Sequence, residues 1–255
     1  MELNNCSAIV TGGASGLGEA TVKSLISKGV HVTIFDLKQD QAEKLANELG
    51  DKASFSVGDV TKESDVLAAL EVAKTKAPFR IAINCAGIGW AQRTVDKAGN
   101  PHSMDAFETI IRVNLLGTFN VLRLAAAEIA KADVLEHNER GVIVNTASVA
   151  AFDGQIGQIA YSASKGGIVG LTLPAARDLS ALGIRVLTIA PGLMDTPLLA
   201  LLPEPQRKAL GDGVLFPKRL GFPAEYAALA THMCENSYLN GETVRLDGGL
   251  RMPPK

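Results

Sequence analysis

Apolar runs rich in β-branched residues recur at positions 7–10, 31–35, 53–57, 80–84, 142–146, 184–190 and 243–246. Several are continuous rather than alternating, the pattern of strands buried on both faces. Between them lie segments predicted as helices at 16–28, 39–49, 62–76, 103–130, 158–182 and 223–235. Strand and helix alternate from end to end. That order predicts an α/β fold: a doubly wound parallel sheet of about seven strands with helices on both faces, a Rossmann fold. The 255 residues suit one domain spanning 1–255. Two long connections follow strand carboxyl ends, at 87–101 and 191–223. Ligands of open α/β sheets bind at those ends, so both connections are expected to shape a pocket, the second as a mobile substrate lid.

Composition narrows the function classes. Apolar residues make up 47% and charged residues 20%, with a formal net charge of −2. No basic run is present, so no nucleic-acid partner is expected, because phosphate neutralisation needs a basic face. Cys6, Cys85 and Cys234 are widely spaced and suit neither a disulfide framework nor zinc, and the four histidines are scattered. No metal is expected. The first strand starts near residue 7, which leaves no room for a leader, and no apolar run approaches the ~18 residues of a membrane span. The expectation is a cytoplasmic protein without a membrane partner.

Candidate chemistry begins at Thr11-Gly-Gly-Ala-Ser-Gly-Leu-Gly18, between a strand and a helix. Glycines allow a tight turn and close approach of phosphate, and the helix N-terminus favours anions. Gly12, Ser15, Gly16, Leu17 and Gly18 are the expected cofactor loop. Asp36 ends the second strand, placed to bond a ribose diol and to repel a 2′-phosphate by roughly 4 kcal/mol at an effective dielectric near 20. NAD is therefore expected over NADP, with Lys38 the nearby hedge. Asp59 and Val60 suit an adenine contact. In Asn84-Cys-Ala86-Gly87 the backbone is expected to pass close to the cofactor. Tyr161 and Lys165 are four apart and share a helix face. A nearby ammonium favours the phenolate, so the lysine is expected to lower the tyrosine pKa and make a general base near neutral pH. Ser148 ends a strand, where a serine is most often a plain cap, and Asn114 falls within a predicted helix.

Taken together these residues resemble the short-chain dehydrogenase/reductase family over nearly the whole chain. The matching elements are the T-G-x-x-x-G-x-G loop, the N-x-A-G segment, Asn114, Ser148, Tyr161 and Lys165, and Pro191-Gly192 with Thr196. The resemblance implies a dinucleotide-binding catalytic domain. Tyr161 would be the general base, Ser148 would hydrogen-bond the same substrate oxygen, Lys165 would hold the nicotinamide ribose, and Asn114 would anchor a proton relay. Pro191, Gly192 and Thr196 would line the nicotinamide end.

The stretches Asn145-Thr-Ala-Ser-Val-Ala-Ala-Phe152, Tyr161-Ser-Ala-Ser-Lys-Gly-Gly-Ile-Val-Gly170 and Leu246-Asp-Gly-Gly resemble the family's type II 3-hydroxyacyl-CoA dehydrogenase subgroup. That implies oxidation of a short or branched 3-hydroxyacyl-CoA, a substrate contact from Gln155 alongside Ser148 and Tyr161, and a homotetramer. A hydroxysteroid or other alcohol dehydrogenase that ignores CoA is the alternative, and a catalytically silent NAD-binding scaffold is the alternative of another class. Trp90 either walls an acyl pocket or packs on its own loop. Asp195 is placed to alter lid closure. The leucines at 193 and 198–202 suit an apolar substrate. Arg207 and Lys208 either meet a CoA phosphate or lie on a solvated helix face.

Overall fold

The computed structural model describes residues 1–197 and 199–254, without the side chain of Leu201. Its strands are β1 (Ser7–Thr11), β2 (His31–Asp36), β3 (Ala53–Val57), β4 (Phe79–Asn84), β5 (Gly141–Thr146), β6 (Ile184–Pro191) and β7 (Thr243–Leu246). They form one sheet in the order β3-β2-β1-β4-β5-β6-β7. Every pairing is parallel, for example Val10 with Ile34 and Asn84 with Asn145. Each strand lies within one residue of its sequence-predicted bounds. The order reverses between β1 and β4, which puts a crevice at their carboxyl ends.

The continuous apolar runs are explained by two packed layers. Along β1, Ala8 and Val10 pack into one layer and Ile9 into the other. In β4, Ile81 and Ile83 oppose Ala82, and in β5, Val142 and Val144 oppose Ile143. The first layer is covered by α1 (Gly16–Ser27), α2 (Gln39–Leu49) and α8 (Pro223–Glu235). The second is covered by α3 (Glu63–Ala73), α5 (Gly117–Ile129) and α6 (Ile159–Leu179). α4 (Met104–Ile111) lies against α6.

Three expectations need correction. The segment predicted as one helix at 103–130 carries a π turn at Arg112–Leu116, between α4 and α5. The stretch 191–223 is not an unbroken loop: it contains α7 (Glu204–Asp212), with Pro203 at the N-cap and Pro205 in the first turn. Proline costs little there, because the first helical N–H groups have no intrahelical partner. Finally, the continuous helix Met104–Ile129, 26 residues long, holds an 18-residue stretch of mean hydropathy 1.3 that is long and apolar enough to cross a membrane by length and composition; half of that stretch is buried within the molecule. Its apolar residues Val121, Leu122, Ala125 and Ile129 pack in the second core layer.

Candidate active site

The crevice at the carboxyl ends of β1–β4 holds a cleft of about 450 Å³. Gly12 has φ +60°, and a Cβ there would stand 2.9 Å from the Ala86 nitrogen; a Cβ at Gly18 would run into the Gly12 carbonyl oxygen. The turn is thus packed directly on the end of β4, which no larger residue permits. Ser15 is the N-cap of α1 and makes no side-chain cap bond. The first N–H groups of α1 remain for a ligand, and Ser15, Gly16, Leu17 and Gly18 line the cleft. At its far wall, Asp36 accepts from the backbone nitrogens of Ala14 and Lys38, both at 3.1 Å. Those two bonds hold the carboxylate in place. No lysine or arginine pairs with it among the described residues.

The adenine-side loop is braced from behind. The Asp59 nitrogen donates to Asp65 (2.9 Å), the Asp59 carboxylate accepts from Thr61, and the Val60 carbonyl accepts from buried Asn120 (2.8 Å). Ala86 and Gly87 line the cleft, but Asn84 does not. Strand alternation turns its side chain into the sheet face opposite Cys85, where Nδ2 donates to Asn145 Oδ1 at 2.9 Å.

A second pocket of about 160 Å³ continues from the cleft, with Leu17, Cys85, Gly87, Ile88 and Thr196 lining both. Ser148, Tyr161, Lys165, Pro191 and Gly192 meet in it. Ser148 follows β5 and opens a short 3-10 turn, its Oγ accepting from the Ala150 nitrogen at 3.1 Å. Tyr161 and Lys165 stand in the first turns of α6.

The expected lowering of the Tyr161 pKa by Lys165 is not what this arrangement produces. Burial pushes the phenol up, and only the Ser148 hydroxyl pulls it back. The Lys165 ammonium points to the Thr146 carbonyl, 2.8 Å away, and lies 5.9 Å from the centre of the phenol ring. Burial pushes Lys165 itself down to about 8. Spacing placed the pair on one face, but desolvation is the largest influence on each.

Asn114 lies in the π turn and is fully buried. Its Oδ1 accepts from the Ile88 nitrogen (2.8 Å), and its Nδ2 donates to the Ile88 carbonyl (2.9 Å) and to Ser164 Oγ (3.1 Å). Gly87 lies between Asn114 and Lys165: a Cβ there would be 3.2 Å from Asn114 Oδ1 and 3.4 Å from Lys165 Nζ. Both groups therefore flank Gly87, the asparagine from a π turn, a feature frequent at functional positions.

Other expected residues are placed elsewhere. Gln155 does not line the pocket of Ser148 and Tyr161. Its Nε2 donates to the Pro253 carbonyl at 3.1 Å, and it lines a separate groove with residues 93–95. Trp90 is 48% exposed and lines neither the cleft nor the pocket. Arg207 pairs with Asp195 at 2.5 Å, tying α7 to the loop beside Thr196, and Lys208 pairs with Asp212. Leu198 and the Leu201 side chain lie outside the described residues; Leu199 lines the pocket.

One participant escaped sequence reasoning. Tyr226 of α8 is fully buried, and its hydroxyl lies 2.6 Å from Thr146 Oγ1 and 3.6 Å from Cys85 Sγ. A tyrosine in an amphipathic helix reads as core, and nothing in its spacing marks it otherwise.

Comparison with known proteins agrees with the fold. The family described as short chain dehydrogenase matches residues 7–207. A 3-hydroxyacyl-CoA dehydrogenase type-2 from Bos taurus is 53% identical over 249 residues, covering 97% of this chain and 95% of that protein. The crystal structure of a 3-hydroxyacyl-CoA dehydrogenase type-2 from Mycobacterium avium superposes with a TM-score of 0.96 at 49% identity, covering 98% of each chain. A 3-ketoacyl-(acyl-carrier-protein) reductase from Brucella melitensis, complexed with NADH, superposes with a TM-score of 0.86 at 30% identity, covering 98% of this chain and 100% of that one.

Proposed function

The chain belongs to the short-chain dehydrogenase family and is an oxidoreductase, and from that premise we propose that it oxidises a short or branched 3-hydroxyacyl-CoA to the 3-ketoacyl-CoA with NAD. The observation that carries the reading is the joined pair of cavities, with Asp36 at one end and the Ser148 and Tyr161 side chains at the other. The similarity to 3-hydroxyacyl-CoA dehydrogenases type-2 supports the substrate class.

The glycine turn and the α1 N-terminus fit a pyrophosphate, because side chains are excluded where it would lie and N–H groups face it. Asp36 would take the adenosine ribose diol, Lys165 the nicotinamide ribose and Thr196 the carboxamide. Bound there, NAD supplies the hydride acceptor. Ser148 donates a hydrogen bond to the substrate oxygen and holds it as the C=O bond forms. Tyr161 takes the hydroxyl proton of that oxygen as the phenolate, a form that grows in with rising pH. Its raised pKa keeps the phenol protonated near neutral pH, ready as the acid in the reverse direction. Asn114 fixes the backbone at Ile88 and would anchor a water-mediated proton relay through Lys165.

The test is NADH formation by the purified protein with 3-hydroxybutyryl-CoA and a 2-methyl-branched analogue. The expected result is turnover with NAD in preference to NADP, reduced about 10²–10⁴-fold in Tyr161→Phe, the usual contribution of a general acid–base residue. One observation favours a second reading: Arg207 and Lys208 are held by Asp195 and Asp212, so neither awaits a CoA phosphate. A hydroxysteroid or simple secondary alcohol needs no such partner. A higher kcat/KM for a 17β-hydroxysteroid than for any acyl-CoA would replace the first reading with this one.

A further inference from the structure

A cavity of about 170 Å³ lies behind the catalytic pocket, between residues 193–194, the lid stretch 214–221 and the end of β7. Leu193, Met194, Val214, Pro217 and Leu246 form its apolar wall. The charged groups at its margin neutralise one another. Arg219 donates to both carboxylate oxygens of Glu225 at 2.9 and 2.8 Å, and Asp247 accepts from Arg245 at 2.7 Å and Arg251 at 3.1 Å. The space therefore suits hydrocarbon. An apolar cavity of about 150 Å³ holds one benzene, so this one takes about six carbons.

Among the described residues only Met194 lines both this cavity and the pocket of Ser148 and Tyr161. It is 6% exposed. The backbone around it is pinned: the Gly221 nitrogen donates to the Leu193 carbonyl (2.9 Å), and the Asp195 nitrogen donates to the Gly221 carbonyl (2.7 Å). The thioether lies over Gly221, where a Cβ would come within 2.6 Å of Sδ. Glycine thus leaves a slot, and an unbranched side chain with three rotatable bonds fills it. With the main chain held on both sides, the side chain is the part free to move.

We propose that Met194 gates a second acyl subsite, and that the cavity behind the lid takes the distal carbons of a medium-chain hydroxyacyl substrate when the thioether leaves the Gly221 slot. This deepens the acyl-substrate reading above and rests on it. The test compares kcat/KM for 3-hydroxydecanoyl-CoA and 3-hydroxybutyryl-CoA in the wild-type protein, Met194→Ala and Val214→Phe. Removing the gate raises the long-to-short ratio and filling the cavity lowers it, each by about tenfold, the worth of a methylene or more in an apolar pocket. A ratio unchanged in both variants overturns the proposal.

Thermal denaturation with 1-octanol separates the two failures, because it needs no thioester. Octanol is expected to raise the Tm of the wild-type protein and of Met194→Ala, and not that of Val214→Phe. That pattern without turnover of any acyl-CoA sustains the hydrocarbon subsite while the substrate reading falls. Equal or absent stabilisation of all three proteins overturns the subsite.

Discussion

Lys165 sets folding against chemistry within one residue. Its ammonium is buried on a single carbonyl, and burial lowers its pKa from 10.5 to about 8. The displacement corresponds to about 3 kcal/mol of preference for the neutral form. The folded pKa lies below the unfolded one, so between about 8 and 10.5 the unfolded chain binds more protons and stability rises with pH. Below about 8 the full cost of the buried charge is present. Lys165→Met removes that cost and loses one hydrogen bond, worth about 1 kcal/mol. We expect it to gain about 2 kcal/mol near neutral pH, to lose the advantage as pH approaches about 10, and to have no dehydrogenase activity. Denaturant unfolding at both pH values measures this. A variant less stable than wild type at neutral pH would contradict the assignment of Lys165 as a strained, functional cation.

At the level of elements, the ends of β4 and β5 are clipped together from the far side of the sheet by α8. Thr146 Oγ1 donates to the Asn84 carbonyl at 2.5 Å, which can only accept. Its lone pair therefore receives the Tyr226 hydroxyl, whose own oxygen accepts from the Cys85 thiol. The same Thr146 carries the carbonyl that holds Lys165, and Ser148 follows two residues later. Tyr226 is in this sense a positioning residue. Tyr226→Phe keeps the packing and removes the clip. The expected outcome is a stability loss of about 1–2 kcal/mol, together with a displaced pH profile of kcat as the Thr146 carbonyl relaxes from Lys165. A stability loss with the pH profile unmoved would reduce Tyr226 to a core residue.

Much of this architecture was legible in the sequence. Strands buried on both faces declare themselves as continuous apolar runs, so all seven were placed by pattern. The helix α7 was hidden because Pro203 and Pro205 read as breaks until their place at the helix start is known. The π turn at Asn114 leaves no mark in apolar periodicity, since it shifts the helix by a fraction of a turn. Gln155 was assigned a substrate contact by the resemblance alone, and the structure holds its amide on the carbonyl of Pro253, nearly a hundred residues away. Contacts of that range have no local signature.

For the whole molecule, two groups of large apolar residues remain exposed. Leu116, in the π turn that packs on α6, and Phe119 in the first turn of α5 are exposed, as are Ile159 and Leu173 of α6, which flank Gly166 and Gly170; a Cβ at either glycine would meet nothing within 4 Å. Small residues between large apolar ones let a second helix approach closely. The other group is Leu215 (71% exposed) and Phe216 (80% exposed) after α7, where the Phe216 nitrogen bonds the Gly248 carbonyl. Exposed apolar groups of this size mark interaction surfaces. A closed tetramer with dihedral symmetry needs two different self-complementary faces, and a dimer needs only one. Two patches lead us to expect the tetramer that the family resemblance implies. Introducing charge into each patch in turn distinguishes the cases by sedimentation velocity. Phe119→Arg and Phe216→Arg should each yield dimers, and the double variant should sediment as the 26.7 kDa monomer. If either single substitution gives monomer directly, one face holds the whole assembly and the tetramer is wrong. If both leave the wild-type species intact, the patches serve something other than self-association.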